Sequence, residues 1–459
     1  MGWIAAVPLA LSTVIVVFSG WQGIVAEAFR WEPIGYFGFR ADGLSIPVAF
    51  TVTLLCCVIA VYSMPYMVHR LGEDSKDHGL YYALYLLYAA GMIGAVLATN
   101  LIEFYLFFEL MLIPSYFLIA RWGYGDRDRI SFMYFMWTHV GALAFLGGIL
   151  TLWAVSGTFD LSVLASAVIP EPYRFWITIT ILAGLLVKMA AFGVHIWLPH
   201  AHAEAPTPIS ALLSPAMIGI GGYAIVRILM TVSPELLGAV SFQLSLWALI
   251  TMIYGALMAL VQDDIKRLMA YSSISQMGYI LLGIASLQVQ GVSGSMFHYL
   301  SHGMGKGILF MVAGIIIVQA HGTRSISKLG GLAKRMPVTA TAAMIGFLTI
   351  LGVPPTSGFI SEFLIFFGSI KSAVEPLILQ RLIVSIGAVV STAITAGYTL
   401  WTMRRVFFGR LPAEIDKVKE APFTMTVPLI VLAATAVLLG ILPDIVTSGI
   451  LSQISTMLK

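Results

Sequence analysis

Long apolar runs follow one another along almost the whole chain, and this pattern constrains the fold more than any other feature. A helix needs about 20 predominantly apolar residues to cross the hydrocarbon core of a bilayer. Segments of suitable length are found at 1–20, 44–66, 80–99, 101–120, 130–154, 174–198, 207–231, 242–261, 267–287, 293–320, 337–371, 382–403 and 425–445. The sequence therefore predicts an all-α integral membrane protein with about 13 transmembrane helices.

Composition excludes several classes of function. Only 10% of the residues are charged, whereas soluble domains contain about 25%, so little chain remains for a catalytic domain outside the membrane. A net charge of +3 is too small for nucleic-acid binding by a surface that mostly faces lipid. Cys56 and Cys57 are adjacent and cannot bridge to one another. His200, His202 and Glu204 give only a weak metal signal among their prolines. We predict no cofactor and no metal in this chain.

Two of the predicted spans are interrupted by turn-forming residues. Residues 337–371 form two short apolar pieces separated by 352–358, and each piece is too short to cross a bilayer alone. We count them as one broken helix. The other interruption, at 195–208, contains three prolines. Irregular backbone at this depth is tolerated only where it is buried in protein or lines a wet cavity.

The two broken helices are five spans apart, and this spacing predicts two internal repeats. Because five is an odd number, the two copies would cross the membrane in opposite directions. Inverted repeats with broken helices are typical of transporters. The alternative is that the prolines only kink two packed helices.

The distribution of Lys and Arg supports the count of 13 spans. With this count, 16 of the 25 basic residues lie on one side of the membrane, whereas splitting 337–371 into two spans gives 14 against 8. The positive-inside rule prefers the first arrangement and places the N-terminus in the cytoplasm and the C-terminus outside a prokaryotic cell membrane. The basic residues predicted on the outer side are Arg30, Arg40, Arg174, Lys371, Arg381 and Lys459.

Four ionisable residues lie inside predicted spans. Glu109, Lys188, Lys306 and Glu362 are each surrounded by apolar sequence, and each costs about 2.5–3.5 kcal/mol to insert. Lysine can release its proton when it is desolvated, whereas arginine stays charged in proteins. Two acids and two lysines on four different spans therefore predict a proton relay. The alternative is that each acid and base form a static pair.

Histidines could connect these four groups. His195, His298 and His302 lie in or beside the same spans, and His298 and His302 share one helix face because they are four residues apart. Imidazole changes its charge near physiological pH. For any single histidine, a fully hydrogen-bonded core residue is the alternative interpretation.

Other polar residues receive structural interpretations. Glu103 lies near the start of a span and is interpreted as an interfacial residue. Asp263 and Asp264 precede a span, so we predict a solvated loop and a helix start, where acidic groups are favourable. Arg227 is close to a span end, where its side chain could reach the interface.

Five stretches together resemble the antiporter-like membrane subunits of respiratory complex I and its relatives, which include Mrp-type cation/proton antiporters. They are FFELMLIPSYFLI, LVKMAAFGVHIWLPHAHAEAPTPISALL, DDIKRLMAYSSISQMGY, FHYLSHGMGKGILF and LGVPPTSGFISEF. The resemblance extends from about residue 42 to 410. The glutamate after the second break is similar to that of subunit M, also called chain 4, where many sister subunits carry a lysine.

The resemblance implies a role for several residues. Glu109 and Lys188 would form a carboxylate–lysine pair whose separation changes the protonation of the lysine. Glu362 would pass the proton towards the outer face. His302 falls in the family's His-Gly or His-Ala motif, and His321 occupies a position that is often histidine in subunit M.

The sequence also departs from the family pattern. Subunit M usually has a lysine four residues before the tyrosine of a Gly-Gly-Tyr motif, and this position is Gly219 here. Lys306 instead resembles the lysine of an HxxxK motif in subunit L and in Mrp proteins. We therefore hypothesise that Lys306 carries the central relay role. We also expect one N-terminal helix fewer than the 14 common in the family.

These patterns together predict a proton-translocating subunit of a complex I-like oxidoreductase, driven by redox chemistry in other subunits, with other membrane subunits of the assembly and the lipid bilayer as its partners. The electron donor of the complex could be NADH, ferredoxin or a reduced deazaflavin. The alternatives are a subunit of an Mrp-type sodium/proton antiporter and a non-conducting scaffold. We divide the chain into N-terminal helices (1–79), a first antiporter-like repeat (80–231), a second inverted repeat (242–410) and a C-terminal helix (411–459).

Overall fold

A computed structural model describes residues 1–19, 24–32, 34–375 and 377–458. Within these residues, 13 helices are long and apolar enough to cross a membrane, which agrees with the predicted number of spans. The elements of the first half are α1 (Gly2–Ser19), β1 (Ile24–Trp31), β2 (Gly35–Ala41), α2 (Ser45–Leu71), α3 (Asp77–Leu97), α4 (Leu101–Trp122), α5 (Arg127–Ser156), α6 (Leu161–Leu164), α7 (Glu171–Met189) and α8 (Trp197–Glu204).

The span Thr207–Val232 contains two π-helical turns, Leu213–Met217 and Ile225–Leu229, and such turns are frequent at functional sites. Its α-helical parts and the helices that follow are α9 (Thr207–Leu212), α10 (Gly219–Ala224), α11 (Met230–Val232), α12 (Pro234–Ala239), α13 (Ser241–Leu260), α14 (Ile265–Ala285), α15 (Val289–Gln319), α16 (Pro337–Ile350), α17 (Ser357–Val374), α18 (Leu379–Phe407), α19 (Phe423–Ile441) and α20 (Asp444–Met457).

Successive spans alternate in direction, so their ends gather at two faces of the bundle. We call the face at which α2 ends and α3 begins the basic side, and the other face the opposite side. On the basic side, Arg121 pairs with Asp77 and Arg324 pairs with Asp264. Lys459, which was predicted to lie on the opposite side, is outside the described residues.

A two-stranded β-hairpin on the opposite side adds to the predicted all-α architecture. Strands β1 and β2 pair antiparallel, with Trp31 opposite Gly35 near the turn. The hairpin is joined to the start of α4, because Asn100 Nδ2 donates to the Tyr36 carbonyl at 2.7 Å. A search for apolar runs of membrane length overlooks such short strands.

The second broken helix is a single interrupted span. The long helix α15 runs antiparallel to both of its halves: Gly291 packs against Gly368 and Gly294 against Ile365 of α17, whereas Gly305 packs against Ile350 of α16. These contacts follow one another in order, so α16 and α17 lie end to end along α15. The prediction of one broken helix at 337–371 is confirmed.

The first broken helix consists of α7 and α8, and both halves pack along α5. Gly148 packs against Ile181 of α7, and the ring of Tyr134 lies 5.3 Å from the ring of Trp197 at the start of α8. Side chains hold the backbone at the break: Phe192 N donates to Thr251 Oγ1 at 3.2 Å, and the Phe192 carbonyl accepts from the Trp247 indole at 2.8 Å. Side chains of α13 thus satisfy backbone groups that lipid could not.

The deepest part of the bundle consists of the spans Thr207–Val232, α14 and α15, which are almost completely buried. Several of the predicted relay residues lie on these spans or pack against them. The predicted boundaries of the two repeats remain a prediction. The C-terminal part holds two helices, α19 and α20, where the sequence analysis predicted one.

Candidate functional site

Three of the four ionisable residues predicted within spans are deeply buried. Lys188 is 1% exposed, Lys306 is 0% exposed and Glu362 is 6% exposed. Glu109, on α4, lies nearer the surface, with 16% of its side chain exposed. The two broken helices supply Lys188 and Glu362, while Lys306 stands in the middle of α15.

Lys188 does not contact the carboxylate that was predicted as its partner. It lies in the last turn of α7, next to the break, with Nζ 4.6 Å from the centre of the Phe108 ring. Within the described residues, its ammonium has no hydrogen-bond partner and no ion pair within 4.0 Å. Glu109 is nevertheless close enough to Lys188 for an electrostatic interaction.

Glu109 instead contacts a histidine that the sequence analysis missed. His139 Nδ1, on α5, lies 3.2 Å from Glu109 Oε2, and the His139 side chain is 32% exposed at the outer surface of the bundle. The second carboxylate oxygen of Glu109 is buried without a partner in the described structure. The signal for His139 was present in the sequence, because this histidine lies within the apolar run 130–154.

Lys306 is held by neutral groups. Its ammonium donates to the Met269 carbonyl at 3.1 Å and makes a short hydrogen bond to the Ser272 hydroxyl, both on α14. No carboxylate within the described residues lies within ion-pair distance of it. Lys306 thus resembles Lys188 in lacking a static acidic partner.

The two histidines one and two turns before Lys306 differ from each other. His298 is fixed on both ring nitrogens, with Nδ1 2.9 Å from Ser361 Oγ and Nε2 2.8 Å from Gln276 Oε1. His302 has no hydrogen-bond partner on either nitrogen within the described residues. Its ring lies 6.4 Å from that of His298 between centres, with 26° between the two ring planes.

Glu362 reaches back to the break in its own helix. A Cβ atom on Gly352 would lie only 2.5 Å from Glu362 Oε2, so the carboxylate packs against the glycine. Helical side chains lean towards the N-terminus of their helix, which explains how Glu362, in the second turn of α17, reaches residue 352. Its other oxygen has no partner among the described residues.

Gly219 has no room for a longer side chain. A Cβ atom at this position would lie 2.2 Å from the ring of Tyr299 on α15, and the Tyr299 hydroxyl donates to the Ala216 carbonyl at 2.8 Å. A tyrosine ring therefore fills the space beside the position where the resemblance would place a lysine.

Two of the predicted histidines lie away from the deepest groups. His195 belongs to the first break, where its Nδ1 accepts from Gly193 N at 3.1 Å and its Nε2 lies 3.1 Å from Tyr254 Oη. Both ring nitrogens of His195 have nearby hydrogen-bond partners, which agrees with the alternative interpretation of a fully hydrogen-bonded core histidine. His321 is exposed at the end of α15 and borders a cavity of about 350 Å³ with Arg70 and Tyr124 on the basic side.

The sequence analysis also missed two buried groups near the end of α8. Lys266, two residues after Asp264 near the start of α14, is 0% exposed and donates to the carbonyls of Ala203 (3.5 Å) and Ala205 (a short bond). His202 is fully buried against the Phe310 ring at 4.8 Å, without a hydrogen-bond partner in the described structure. Only the packing of α8 against α14 and α15 reveals their burial.

Arg227 forms a buried ion pair and does not reach the interface, which corrects the prediction. Its guanidinium donates to both carboxylate oxygens of Asp42, at 2.8 and 2.6 Å. Burial alone would raise the pKa of Asp42, but Arg227 and the backbone amides of Ser45 and Leu44 hold this pKa below its usual range. Asp42 thereby also caps the start of α2.

The acidic residues at helix starts act as caps. Glu103 Oε2 accepts from Thr99 N at 3.1 Å, while Glu103 N donates to Asn100 Oδ1 at 2.8 Å, which is a reciprocal cap of α4. Asp264 accepts from the first amides of α14, as predicted. Among the described residues, no group of three or more His, Cys, Asp or Glu side chains could hold a metal ion.

A membrane bundle with two broken helices and charged residues beside both breaks defines a class of transporter-like subunits. The sequence matches the family described as "NADH:quinone oxidoreductase/Mrp antiporter, TM" over residues 98–391, and residues 31–75 match "NADH-Ubiquinone oxidoreductase (complex I), chain 5 N-terminus". The chain belongs to this family of antiporter-like membrane subunits.

Similar proteins carry names from this family. The F(420)H(2) dehydrogenase subunit M of Methanosarcina mazei is 36% identical over 91% of this chain and 83% of its own. The NADH-quinone oxidoreductase subunit M of Rhodobacter capsulatus is 33% identical over 90% of this chain and 80% of its own.

Two solved structures share the fold. A chain of respiratory complex I from Thermus thermophilus superposes with a TM-score of 0.88 at 26% identity, covering 100% of this chain and 95% of its own. A chain of the Mrp complex from Dietzia sp. DQ12-45-1b gives a TM-score of 0.87 at 23% identity, covering 99% of this chain and 94% of its own. The second likeness concerns the fold alone.

Proposed function

We propose that this chain translocates protons as a membrane subunit of a complex I-like oxidoreductase whose redox chemistry takes place in other subunits. The observation that carries the proposal is the deep burial of Lys188, Lys306 and Glu362 without acidic or basic partners among the described residues. Such groups are costly inside a membrane protein. Because these three residues form no ion pair in the part of the chain that the structure describes, we infer that they act by gaining and losing protons.

The proposed path joins both halves of the bundle. Lys188 exchanges protons with the Glu109–His139 pair at one end, Lys306 takes the central position that Gly219 cannot provide, and Glu362 delivers the proton at the other end. His302, which has no partner within the described residues, is free to reorient between neighbouring groups. His298 serves mainly to position Ser361 and Gln276.

The orientation follows from charge. The basic side faces the cytoplasm of a prokaryotic cell, so the N-terminus is cytoplasmic and α20 lies on the outer side. Lipid surrounds the bundle, and other membrane subunits adjoin it, as in the respiratory and Mrp complexes whose chains share the fold. The relatives' names point to an electron donor such as NADH or a reduced deazaflavin acting elsewhere in the complex.

Sodium/proton exchange is the second candidate, because the matched family description includes Mrp antiporters. The 26% identity with a complex I chain, and the subunit M names of the relatives, favour the redox-driven proton pump. Vesicles containing the intact complex distinguish the two candidates. Sodium-dependent pH changes without an electron donor would support the exchanger.

Replacement of Lys306 tests the proposal. In the intact complex reconstituted into vesicles, Lys306→Met should lower proton translocation at least about tenfold, because a proton-transfer group typically contributes about 10²–10⁴-fold. Assembly should be unaffected, because the substitution removes an unpaired buried charge. Lys328→Met, at an exposed lysine on the basic side, is the matched control and should translocate protons normally. Normal translocation by Lys306→Met would refute the central role of this lysine.

A second variant separates charge from proton release. Lys306→Arg keeps the positive charge but cannot deprotonate in a protein. If the lysine acts by releasing its proton, this variant should be as deficient as Lys306→Met. A variant that translocates normally would show that only a fixed charge is needed.

A further inference from the structure

A cavity with basic walls lies where two connections meet on the basic side of the bundle. Backbone packs against backbone there: a Cβ atom on Gly330 would lie 2.5 Å from the Arg410 carbonyl oxygen, and one on Gly331 would lie 2.8 Å from Leu411 N. The cavity beside this contact has a volume of about 570 Å³ and is lined by Gly331, Lys334, Arg335, Gly409, Arg410 and Leu411. The segments that precede α16 and follow α18 thus hold three cationic side chains around one space.

The three cations of this cavity have no acidic partner in the described structure. Lys334, Arg335 and Arg410 are exposed, and none of them forms an ion pair within the described residues. Arg405, in the last turn of α18, differs from them because it pairs with Asp263 at 3.3 Å. Clefts lined by one sign of charge attract ions of the opposite sign. The cavity is therefore suited to an anion.

The depth of the cavity matches that of lipid headgroups. Lys334 and Arg335 come just before Pro337, the first residue of α16, and Arg410 follows the end of α18 by three residues. Trp401, less than two turns before the end of α18, is 51% exposed, and tryptophan is enriched at the membrane–water interface. Basic cavities between transmembrane helices on the cytoplasmic side bind anionic headgroups.

An apolar groove begins beside the cavity. It lies between α16 and α19, has a volume of about 560 Å³, and its lining includes Pro337, Val338, Ile345, Ile430 and Val437. Pro337 is two residues after Arg335, so the Cα atoms that border the two spaces are at most about 7 Å apart. From Pro337 to Ile345 the groove follows α16 for about 12 Å into the membrane. An anion bound in the cavity can therefore continue as an acyl chain in the groove.

A carboxylate at the start of α16 is already engaged. Glu420 accepts from Val338 N at 2.7 Å and from Thr339 N at 3.3 Å, so it caps this helix. Glu420 lines neither the cavity nor the groove. The first amides of α16 are thus occupied, and the cations that remain for an anion are those of the three side chains.

We propose that the cavity and the groove together bind a phospholipid with an anionic headgroup. The phosphate lies among Lys334, Arg335 and Arg410, and one acyl chain lies between α16 and α19. Such a lipid ties the first half of the second broken helix to its neighbours α18 and α19. A free phosphate ion would use only the cavity, and an acidic segment of another subunit would not need the groove. This inference does not depend on the proposed function.

Photolabelling of the intact complex tests the site. The probe is a phosphatidylglycerol with a diazirine on its acyl chain, titrated into nanodiscs of phosphatidylcholine that contain the complex. Labelled peptides of this chain should come from residues 337–345 and 430–437. In Lys334→Gln/Arg335→Gln/Arg410→Gln, the probe concentration for half-maximal labelling should rise about a hundredfold, because each basic residue near the surface contributes about fivefold in affinity.

A second triple variant is the matched control for charge. Lys76→Gln/Arg129→Gln/Arg267→Gln removes three exposed basic residues from the same side of the bundle and should be labelled like the wild type. An equal loss of labelling in both triple variants would mean that the basic surface attracts anionic lipid without a specific site, and would overturn the proposal.

Ala434→Trp tests the groove separately from the charges. Ala434 is exposed and lines the groove, so the indole fills the groove without replacing a buried side chain. Half-maximal labelling should need at least about tenfold more probe, since two buried methylene groups already contribute that much to lipid binding. Ala83→Trp, at an exposed alanine of α3, should be labelled normally. Normal labelling of Ala434→Trp would overturn the placement of the acyl chain.

Two further outcomes would assign the cavity to another occupant. Inorganic phosphate at the concentration of the probe should leave the labelling unchanged, and complete protection by it would show that a free anion fills the cavity. Absence of label from 337–345 and 430–437 in the wild-type complex, with loss of a neighbouring subunit in Lys334→Gln/Arg335→Gln/Arg410→Gln, would identify a contact with an acidic segment of that subunit. Either result would overturn the lipid site.

Discussion

The molecule buries charge in two contrasting ways. In the ion pair Asp42–Arg227, two oxygens meet two guanidinium nitrogens, and only 7% of the arginine side chain is exposed. Lys188 and Lys306 are at least as deeply buried, but neither has a carboxylate within ion-pair distance in the described structure. The first charge is held in a fixed ion pair, whereas the two lysines are the charges that we propose to take part in proton transfer.

The comparison also answers the alternative that every acid and base in the spans forms a static pair. Asp42 and Arg227 fit that description. Lys188 lies in the last turn of a half-helix, where the helix dipole favours a cation, and Glu362 lies near the start of one, where the dipole favours an anion. A helix end thus partly compensates the charge of Lys188 and of Glu362 without a permanent ion partner.

The largest effect on stability is expected from breaking the Asp42–Arg227 ion pair. Arg227→Met leaves Asp42 buried and uncompensated, and should lower the free energy of unfolding by about 3–5 kcal/mol. Thermal denaturation of the purified complex measures this loss. Whatever complex does assemble should still pump, because the pair is outside the proposed path. A fully stable variant would show that the pair contributes little to the fold.

Neutralising an unpaired lysine should have the opposite signature. Lys188→Met removes a desolvated charge that has no hydrogen bond, so stability should be unchanged or raised. Proton translocation should fall at least about tenfold. Normal translocation, or a loss of stability as large as that of Arg227→Met, would show that Lys188 does not differ from the Asp42–Arg227 ion pair in the way proposed.

The smallest effect is expected at the edge of the bundle. His139 contacts Glu109 but is one-third exposed, and exposed ion pairs contribute less than about 1 kcal/mol. His139→Gln should therefore slow translocation only a few-fold and leave the melting temperature almost unchanged. Complete loss of translocation would show that His139 is essential for proton transfer and is not an auxiliary residue.

Much of this architecture could be predicted from sequence, because its signals are local. Apolar runs mark the spans, and the prolines at 195–208 and 352–358 mark both breaks. Charged residues inside apolar runs identified Glu109, Lys188, Lys306 and Glu362. Because these four residues lie within apolar runs, their placement in or beside the bundle core could also be predicted.

The remaining features depend on contacts between distant parts of the chain. Asp42 and Arg227 are 185 residues apart, so neither residue alone reveals the pair. Glu109 was assigned to Lys188 by resemblance, whereas the structure brings it to His139. Lys266 reads as a surface lysine beside two aspartates, and only the packing of α8 against α14 buries it. The hairpin 24–41 is too short for a membrane-span signal.

The most direct test of the account is the number of protons translocated per electron pair by the intact complex. Measured in vesicles with simultaneous recording of electron transfer, this ratio should fall in Lys306→Met relative to wild type, because the central lysine can no longer take up and release a proton. An unchanged ratio, at normal rates of electron transfer, would contradict the claim that unpaired buried lysines carry protons in this protein.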